Sequence, residues 1–314
     1  MSVVVPVRNE AAHLDAAVAS ILAQQYPVDL EVCLAVAPSA DDTATVAGEI
    51  AAHDARVVVV DNPAGVTPAA LNAAIRATSG SIVVRVDGHA ELSDGYIRRA
   101  VETMCRTGAV NIGGMQVPQP ETSFEAAVAA ATTSWMGTGG ANYRVGGAEG
   151  PVDTVYLGVF DRVAGDAVGW FDESLIRNQD YELNIRLRKA GGEVWFDPEL
   201  AVAYRPRGSW RTLAKQYYEY GWWKAEVVRR HPDSLRLRQA VPPLAMLGVG
   251  TSILCGLRRP AALLPALGYV AALLASQRRS PRPARAAAAA SVMHASWAGG
   301  LAYGTLRSRR RASA

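Results

Sequence analysis

Asp87-Gly88-His89 closes the apolar run Val83-Val84-Arg85-Val86 with a carboxylate, a glycine and an imidazole. On an extended chain, residues two apart point to the same side. A carboxylate and an imidazole placed in this way can hold one divalent metal ion. The alternative is a strand ending in a turn, with Asp87 capping and His89 solvated. Arg8, Glu10, Asp61 and Asn62 also follow directly on apolar, β-like runs. Asp180 stands at the head of an amphipathic stretch, where a carboxylate also serves as a helix cap.

The elements that must position these groups are legible in the hydrophobic pattern. Residues 2–7, 30–36, 56–60 and 81–86 are short β-branched runs of the kind buried in a parallel sheet. Helical spacing covers residues 11–25, ending before Pro27. A second helix, capped by Ser39 or Asp41, runs to about His53, and a third covers residues 68–78. Strands alternating with helices over short connections predict an α/β fold with a doubly wound, mostly parallel sheet. Such sheets bind ligands outside the carboxyl ends of their strands, where Arg8, Glu10, Asp61, Asn62, Asp87 and His89 all fall.

Further along, a helix to about Thr107 and strands near residues 110–117, 155–160 and 194–196 are expected. Residues 123–135 have helical character. The glycine-rich remainder up to Pro151 reads as a loop able to close over a substrate, or as an exposed linker. A helix from Asn178 carries Arg186, Arg188 and Lys189 near its end, where cations suit the dipole, and Gly191-Gly192 ends it. Residues 209–230 form a helix in which Trp210, Tyr217, Tyr218, Tyr220, Trp222 and Trp223 interleave with basic residues. That mixture suits a membrane interface or a sugar-binding platform.

Composition narrows the function classes. A chain of 314 residues, 50% of them hydrophobic, can build a large core plus an appendage. A net charge of +3 is too small to imply nucleic-acid binding. Cys33, Cys105 and Cys255 are odd in number and widely spaced, which fits reduced thiols rather than a disulfide framework. Residues 2–7 are already β-like, without the basic and apolar regions of a signal peptide. Residues 240–256, 260–276 and 286–306 are apolar, separated or followed by arginines, and read as two or three membrane segments with a basic tail. The positive-inside rule places the catalytic part and the Arg278 to Arg285 loop on the cytoplasmic side for a two-helix hairpin. A third span would put the tail outside, against that rule. A soluble helical appendage is the alternative.

Taken together, the motifs resemble glycosyltransferase family 2, with its nucleotide-sugar-binding GT-A fold. Val3-Val4-Val5-Pro6-Val7-Arg8-Asn9-Glu10 resembles the family's opening strand, and Asp87-Gly88-His89 stands where the family carries its metal-binding carboxylates. Gly169-Trp170-Phe171-Asp172-Glu173 and Gln179-Asp180 resemble its acceptor-side motifs. More narrowly, Asn62-Pro63, Thr67-Pro68-Ala69-Ala70-Leu71-Asn72, Arg85 to His89 and Asn178 to Asn184 resemble the ExoA-type enzymes of succinoglycan biosynthesis.

The resemblance covers residues 1–235, leaving 236–314 as membrane-associated helices. It implies an inverting transfer of one sugar, glucose from a UDP-sugar, onto a lipid-linked saccharide at the cytoplasmic face of the cell membrane, in exopolysaccharide or envelope glycan synthesis. Pro6, Arg8, Glu10, Asp61, Asn72, Arg85 and Asp87 would bind the nucleotide sugar. Asp87 and His89 would hold Mn2+ or Mg2+, and an imidazole nitrogen shifts the preference toward manganese. Asp180 would be the base that takes the acceptor proton. Arg205, Arg207, Gln216, Trp222 and Trp223, with Gln179, would form the acceptor or closing segment. Tyr204 to Arg207 and Gln216 to Trp223 stand where processive relatives carry a Gln-x-x-Arg-Trp motif that is missing here, which implies one sugar per acceptor. The sequence departs from the family at Val36-Ala37-Pro38, where an acidic residue often reads the base. That departure is the best support for a rival reading, a non-catalytic membrane-tethered scaffold that retains the fold.

Overall fold

The computed structural model describes residues 1–26 and 29–312, with side chains described to Arg307. Pro27, expected to stop the first helix, lies outside these residues, as do the side chains of Arg309, Arg310 and Arg311.

In chain order the elements begin β1 (Ser2–Val7), α1 (Leu14–Leu22), β2 (Glu31–Val36), α2 (Thr43–His53), β3 (Val57–Asp61), α3 (Thr67–Arg76) and β4 (Ile82–Arg85). Next come β5 (Glu91–Leu92), α4 (Tyr96–Thr107), β6 (Asn111–Pro118), and the helices α5 (Ser123–Thr132), α6 (Trp135–Thr138) and α7 (Asn142–Val145). Then follow β7 (Gly150–Pro151), β8 (Tyr156–Asp161), α8 (Arg162–Val168), α9 (Gln179–Lys189) and β9 (Val194–Tyr204). The chain ends in α10 (Trp210–Arg230), α11 (Leu237–Gly256), α12 (Leu264–Ser276) and α13 (Pro283–Ala312). It divides into two compact units: Met1–Val117 with Gly146–Tyr204, and Pro118–Val145 with Arg205–Ala314.

The first unit is built on a nine-stranded sheet of order β3-β2-β1-β4-β8-β6-β9-β5, with β7 pairing β9. The strands from β3 to β4 are parallel, as predicted. β8 pairs antiparallel with both β4 and β6, and β5 and β7 pair antiparallel with β9. The sheet is therefore mixed rather than mostly parallel. Strict strand–helix alternation ends near residue 86, and a buried strand's apolar pattern is the same in either direction.

β1 is buried on both faces. Val3, Val5 and Val7 pack with Leu14, Val18 and Ile21 of α1 and Ile97 of α4. Val4, pointing the other way, packs with Leu71 and Ile75 of α3 and with Leu183 and Leu187 of α9. Burying each leucine contributes about 1.5–3 kcal/mol, so α9 is held against the sheet by its apolar face. That fixes its first turn, where Asp180 sits.

The second unit has its own core, in which Val128, Ala131, Leu213, Tyr217, Leu273, Ala290 and Met293 cluster. Here α10 and α13 run in backbone contact. A Cβ on Gly300 would lie 2.0 Å from the Tyr218 carbonyl oxygen, and one on Gly221 would lie 2.2 Å from that of Trp297. This contact involves residues 286–306, the third of the apolar segments. Their alanines and glycines serve close helix packing, and Ala286, Ala289 and Ala290 are fully buried.

The glycine-rich stretch after α5 is also not an open loop. It forms α6, whose Ser134 hydroxyl caps it, and α7. Of the described residues, one helix, α11, is long and apolar enough to cross a membrane, and its apolar window is only 6% buried. The segment 260–276 is split into a 3-10 turn (Pro260–Leu263) and the 13-residue α12. At 1.5 Å per residue, α12 is about 20 Å long against a hydrocarbon core of about 30 Å. Leu244, Leu247, Leu254, Leu264 and Leu267 are exposed along this pair.

Candidate active site

Parallel pairing brings the carboxyl ends of β1, β2, β3 and β4 to one edge of the sheet. Antiparallel β8 brings its opposite end, Tyr156, toward the same edge through the register Ile82↔Asp161 and Val84↔Val159.

The loop after β1 is tied to the loop after β2 by four hydrogen bonds. Asn9 N–H donates to Ser39 Oγ (3.0 Å), Glu10 N–H to Thr43 Oγ1 (2.8 Å) and Ala11 N–H to Asp41 Oδ2 (3.2 Å), while Asn9 Oδ1 accepts from Ala40 N–H (2.7 Å). Asn9 adopts φ 54°, a left-handed conformation that asparagine tolerates. Neither predicted cap holds the N-cap position of α2, which is Asp42; Asp41, one residue earlier, accepts from Thr43 N–H at 3.2 Å. Arg8 reaches the loop after β3, where Nη1 donates to the Gly65 carbonyl at 2.9 Å. Asp61 is exposed and lies opposite Val36 in the sheet register.

Asp87, Gly88 and His89 follow β4 in a turn closed by Ala90 N–H to the Asp87 carbonyl (2.9 Å). The geometry that gathers Asp87 and His89 is thus a turn and not the extended strand predicted, because β4 ends at Arg85. His89 Nδ1 is 2.8 Å from Glu10 Oε1. Gly88 lies beneath Glu10, and a Cβ there would come within 3.2 Å of Glu10 Cγ. Glu10, predicted to line the nucleotide pocket, is thus in contact with the imidazole.

Arg85 joins the two halves of the site. Its Nε and Nη2 donate to Asp87 Oδ1 at 3.2 and 3.0 Å, and Nη1 lies 3.9 Å from Asp180 Oδ2. Asp180 Oδ1 accepts from Tyr181 N–H at 2.8 Å. Burial would push the Asp87 carboxyl up, but the positive charges of Arg85, His89 and Arg177 hold it below the usual aspartate range. Burial likewise disfavours the Arg85 cation, and Asp87, Asp180 and Tyr156 outweigh it, raising its pKa. Sequence reading missed Arg177 and Tyr156. Tyr156 comes near Arg85 only through the antiparallel register of β8, which an apolar pattern does not encode.

Other predicted residues stand elsewhere. Asn72 is nine-tenths buried, and its amide grips the backbone of Phe171: Nδ2 donates to the carbonyl at 2.8 Å, and Oδ1 accepts from the N–H at 3.2 Å. Nδ2 also reaches Glu173 Oε1 at 3.0 Å. From the other side, Arg186 donates to the carbonyls of Val168 and Trp170 (2.5 Å each). Asn72 thus pins residues 169–173 rather than presenting its amide to a ligand. Pro6 is half-buried within β1, and Gln179 is buried at the start of α9.

In the second unit, Arg205 pairs with Glu121 (2.8 Å) and Glu125 (3.1 Å), and Arg207 is exposed. Gln216 Nε2 donates to the Tyr220 hydroxyl at 3.1 Å. Trp222 stacks on Trp223 (centroids 5.7 Å apart), meets Tyr303 edge-on and lies under Arg307.

No group of three His, Cys, Asp or Glu side chains that could hold a metal gathers among the described residues. A closed protein cage for an ion is thus absent there. Phosphate-bound divalent ions need less, since one or two protein ligands suffice when phosphate oxygens complete the sphere. Asp87, with Oδ1 on Arg85, can offer its other oxygen. The Glu10 contact occupies Nδ1 of His89, so an ion at this imidazole would use Nε2. The residues fit a metal held jointly with a bound diphosphate.

The chain is 32% identical to succinoglycan biosynthesis protein ExoA of Rhizobium meliloti (strain 1021), over 98% of this chain and 96% of that protein. Its fold is similar to that of mannosyltransferase PcManGT from Pyrobaculum calidifontis, solved in complex with GDP-Man and Mn2+. That match has a TM-score of 0.66 and 19% identity, covering 94% of this chain and 86% of that one. Residues 1–349 of S. aureus TarS, in complex with UDP, give a TM-score of 0.52 at 14% identity, covering 99% of this chain and 91% of that one. These likenesses identify the α/β fold as GT-A-like with a mixed sheet. The model of the family described as Glycosyl transferase family 2 matches residues 2–168. With its sheet-edge carboxylates, its fold and its full-length relative in agreement, the chain is a glycosyltransferase and belongs to glycosyl transferase family 2.

Proposed function

We propose that the enzyme transfers one sugar, with inversion, from a UDP-linked donor onto a lipid-linked saccharide in exopolysaccharide or envelope glycan synthesis. The observation that carries this reading is the Asp87–Arg85–Asp180 chain, which sets two carboxylates on either side of one buried guanidinium. In it, Asp87 faces the donor diphosphate, with His89 oriented by Glu10. Asp87 and His89 would hold a divalent ion there, which would supply positive charge against that growing on the leaving diphosphate. Asp180, 39% exposed, accepts the acceptor proton on the opposite face of the sugar. One base with in-line displacement gives inversion.

Arg8 and Asp61 bracket the nucleotide pocket through the loop at Gly65. Asp61, in register with Val36, supplies a carboxylate one strand away from where β2 lacks one. The relative in succinoglycan biosynthesis supports a polysaccharide product, and the neighbours bound to GDP-Man and UDP support a nucleotide-sugar donor. Catalysis is assigned to residues 1–235, and residues 236–314 to attachment at the cytoplasmic face of the cell membrane through α11 and the exposed leucines of α12. Arg205, Arg207, Gln216, Trp222 and Trp223 are assigned to the acceptor side.

A donor screen tests the reading. Membranes containing the protein are supplied with a panel of nucleotide sugars, with and without Mn2+, and released nucleotide is measured. Mn2+-dependent release of UDP that requires a lipid-linked acceptor is expected. No release from any donor contradicts the proposal.

A further inference from the structure

Arg85 is placed unlike a donor-binding arginine. Its side chain is 9% exposed, and both edges of the guanidinium face protein carboxylates: Nε and Nη2 on Asp87, Nη1 toward Asp180. A planar guanidinium with donors on two edges can hold two carboxylates at a fixed separation, which a lysine cannot do. The two acids differ in freedom. Asp87 has 20% of its side chain exposed and sits in a closed turn, whereas Asp180 has 39% exposed. The Tyr181 N–H and Arg85 orient the Asp180 carboxylate.

We propose that Arg85 is a positioning residue that couples donor loading to the acceptor base, holding Asp180 in place and yielding Asp87 to the incoming cation. The proposal rests on Asp87 as the donor-side carboxylate and Asp180 as the base. Without donor, one buried positive charge is shared by two negative ones. A divalent ion at Asp87 competes with Arg85 for that carboxylate and repels the guanidinium. Asp180 is then the anion left to Arg85, so the contact that aims the base tightens when the donor arrives. Arg85 touches no reacting atom in this scheme; it acts through the carboxylates.

The test compares Arg85→Gln and Arg85→Lys with the wild-type full chain in two experiments. In the first, Mn2+ with UDP is titrated calorimetrically, and kcat and KM for transfer are measured. Loss of the competing guanidinium leaves Mn2+–UDP affinity unchanged or tighter, while kcat falls at least 100-fold in Arg85→Gln and by less in Arg85→Lys. Affinity that weakens in step with kcat makes Arg85 a donor ligand and overturns the proposal. Arg85→Lys keeps the charge, so the comparison survives if Arg85→Gln does not fold.

The second experiment needs no turnover. The melting shifts of Asp87→Asn, Asp180→Asn and the double variant are measured with Arg85 present, then with Arg85→Lys. The double variant leaves a buried guanidinium without either acid, a state far costlier than losing one partner. With arginine, its shift therefore exceeds the sum of the single shifts, and the excess shrinks with lysine. Additive shifts with arginine overturn the coupling. A wild type that neither binds Mn2+–UDP nor transfers sugar instead removes the functional reading, and the melting cycle still decides the coupling.

Discussion

Replacing Asn72 by Ala separates a structural pin from a nucleotide ligand. The variant loses the Nδ2 bond to the Phe171 carbonyl (2.8 Å) and the Oδ1 bond from the Phe171 N–H (3.2 Å) at a buried position. Each net bond contributes about 1 kcal/mol, and leaving a buried backbone group unpaired costs about 1–3 kcal/mol. Together these give a destabilisation of about 2–4 kcal/mol. At about 2–4 °C per kcal/mol for a unit of this size, Tm falls by roughly 5–15 °C. Circular dichroism melts and urea curves read the change, with the urea slope unchanged. Calorimetry well below the lowered Tm then reads nucleotide affinity, expected within about threefold of wild type, since 1.4 kcal/mol is tenfold. A Tm within 2 °C of wild type together with a nucleotide affinity weakened tenfold or more would refute the pin and restore Asn72 to the donor site.

Other substitutions probe separate links. Asp180→Asn keeps the shape but removes the base, so transfer falls about 10²–10⁴-fold while nucleotide binding stays near wild type; unchanged turnover removes Asp180 from its role. Glu31 Oε1 accepts from Ser2 Oγ (2.7 Å) and from the N–H groups of Ser79 and Gly80 (2.8 Å each). Burial would raise its pKa, but these bonds and the N-terminal charge hold it below the usual glutamate range. A depressed carboxylate contributes stability above its unfolded pKa of about 4.3 and loses it as pH falls through the folded value. Urea unfolding from pH 7 to 3 should therefore show a shallower acid loss in Glu31→Gln than in wild type, and parallel curves would contradict that. Gly48 lies inside α2 with open space around its Cβ position, so Gly48→Ala should stabilise by about 0.5–1 kcal/mol. Gly300→Ala, whose Cβ would meet the Tyr218 carbonyl, should destabilise by about 1–3 kcal/mol or more. Thermal melts of the two variants moving in the same direction would contradict one of the two packing assignments, Gly48 if both fall and Gly300 if both rise.

The first half of the fold is legible because buried parallel strands and amphipathic helices alternate at short intervals up to Arg85. Beyond it, strand direction is not written in the apolar pattern, so β8 and its Tyr156 could not be placed beside β4. In residues 286–306 alanine and glycine are weakly hydrophobic and also allow backbone-to-backbone helix contact, so the apolar pattern alone does not separate a span from a packed helix. Gly221 and Gly300 decide between the two uses only once α10 and α13 are seen together. At the site, residue types at strand ends correctly gathered Glu10, Asp87 and His89. Their partnerships were not legible. Glu10 with His89 and Arg85 with Asp180 join residues 79 and 95 positions apart in the chain, and only the folded sheet brings them together. The bonds of Asn72 to Phe171 were not legible either, because a polar residue in a motif looks the same whether it faces solvent or a buried backbone.

The most direct test of the central claim is calorimetric titration of UDP in the presence of Mn2+ into wild-type protein and Asp87→Ala. Metal-dependent binding in the wild type, weakened at least tenfold in the variant while its fold is retained, is the predicted result. Equal affinity in the two proteins, with or without the metal, would contradict the assignment of the sheet-edge carboxylate to the donor diphosphate.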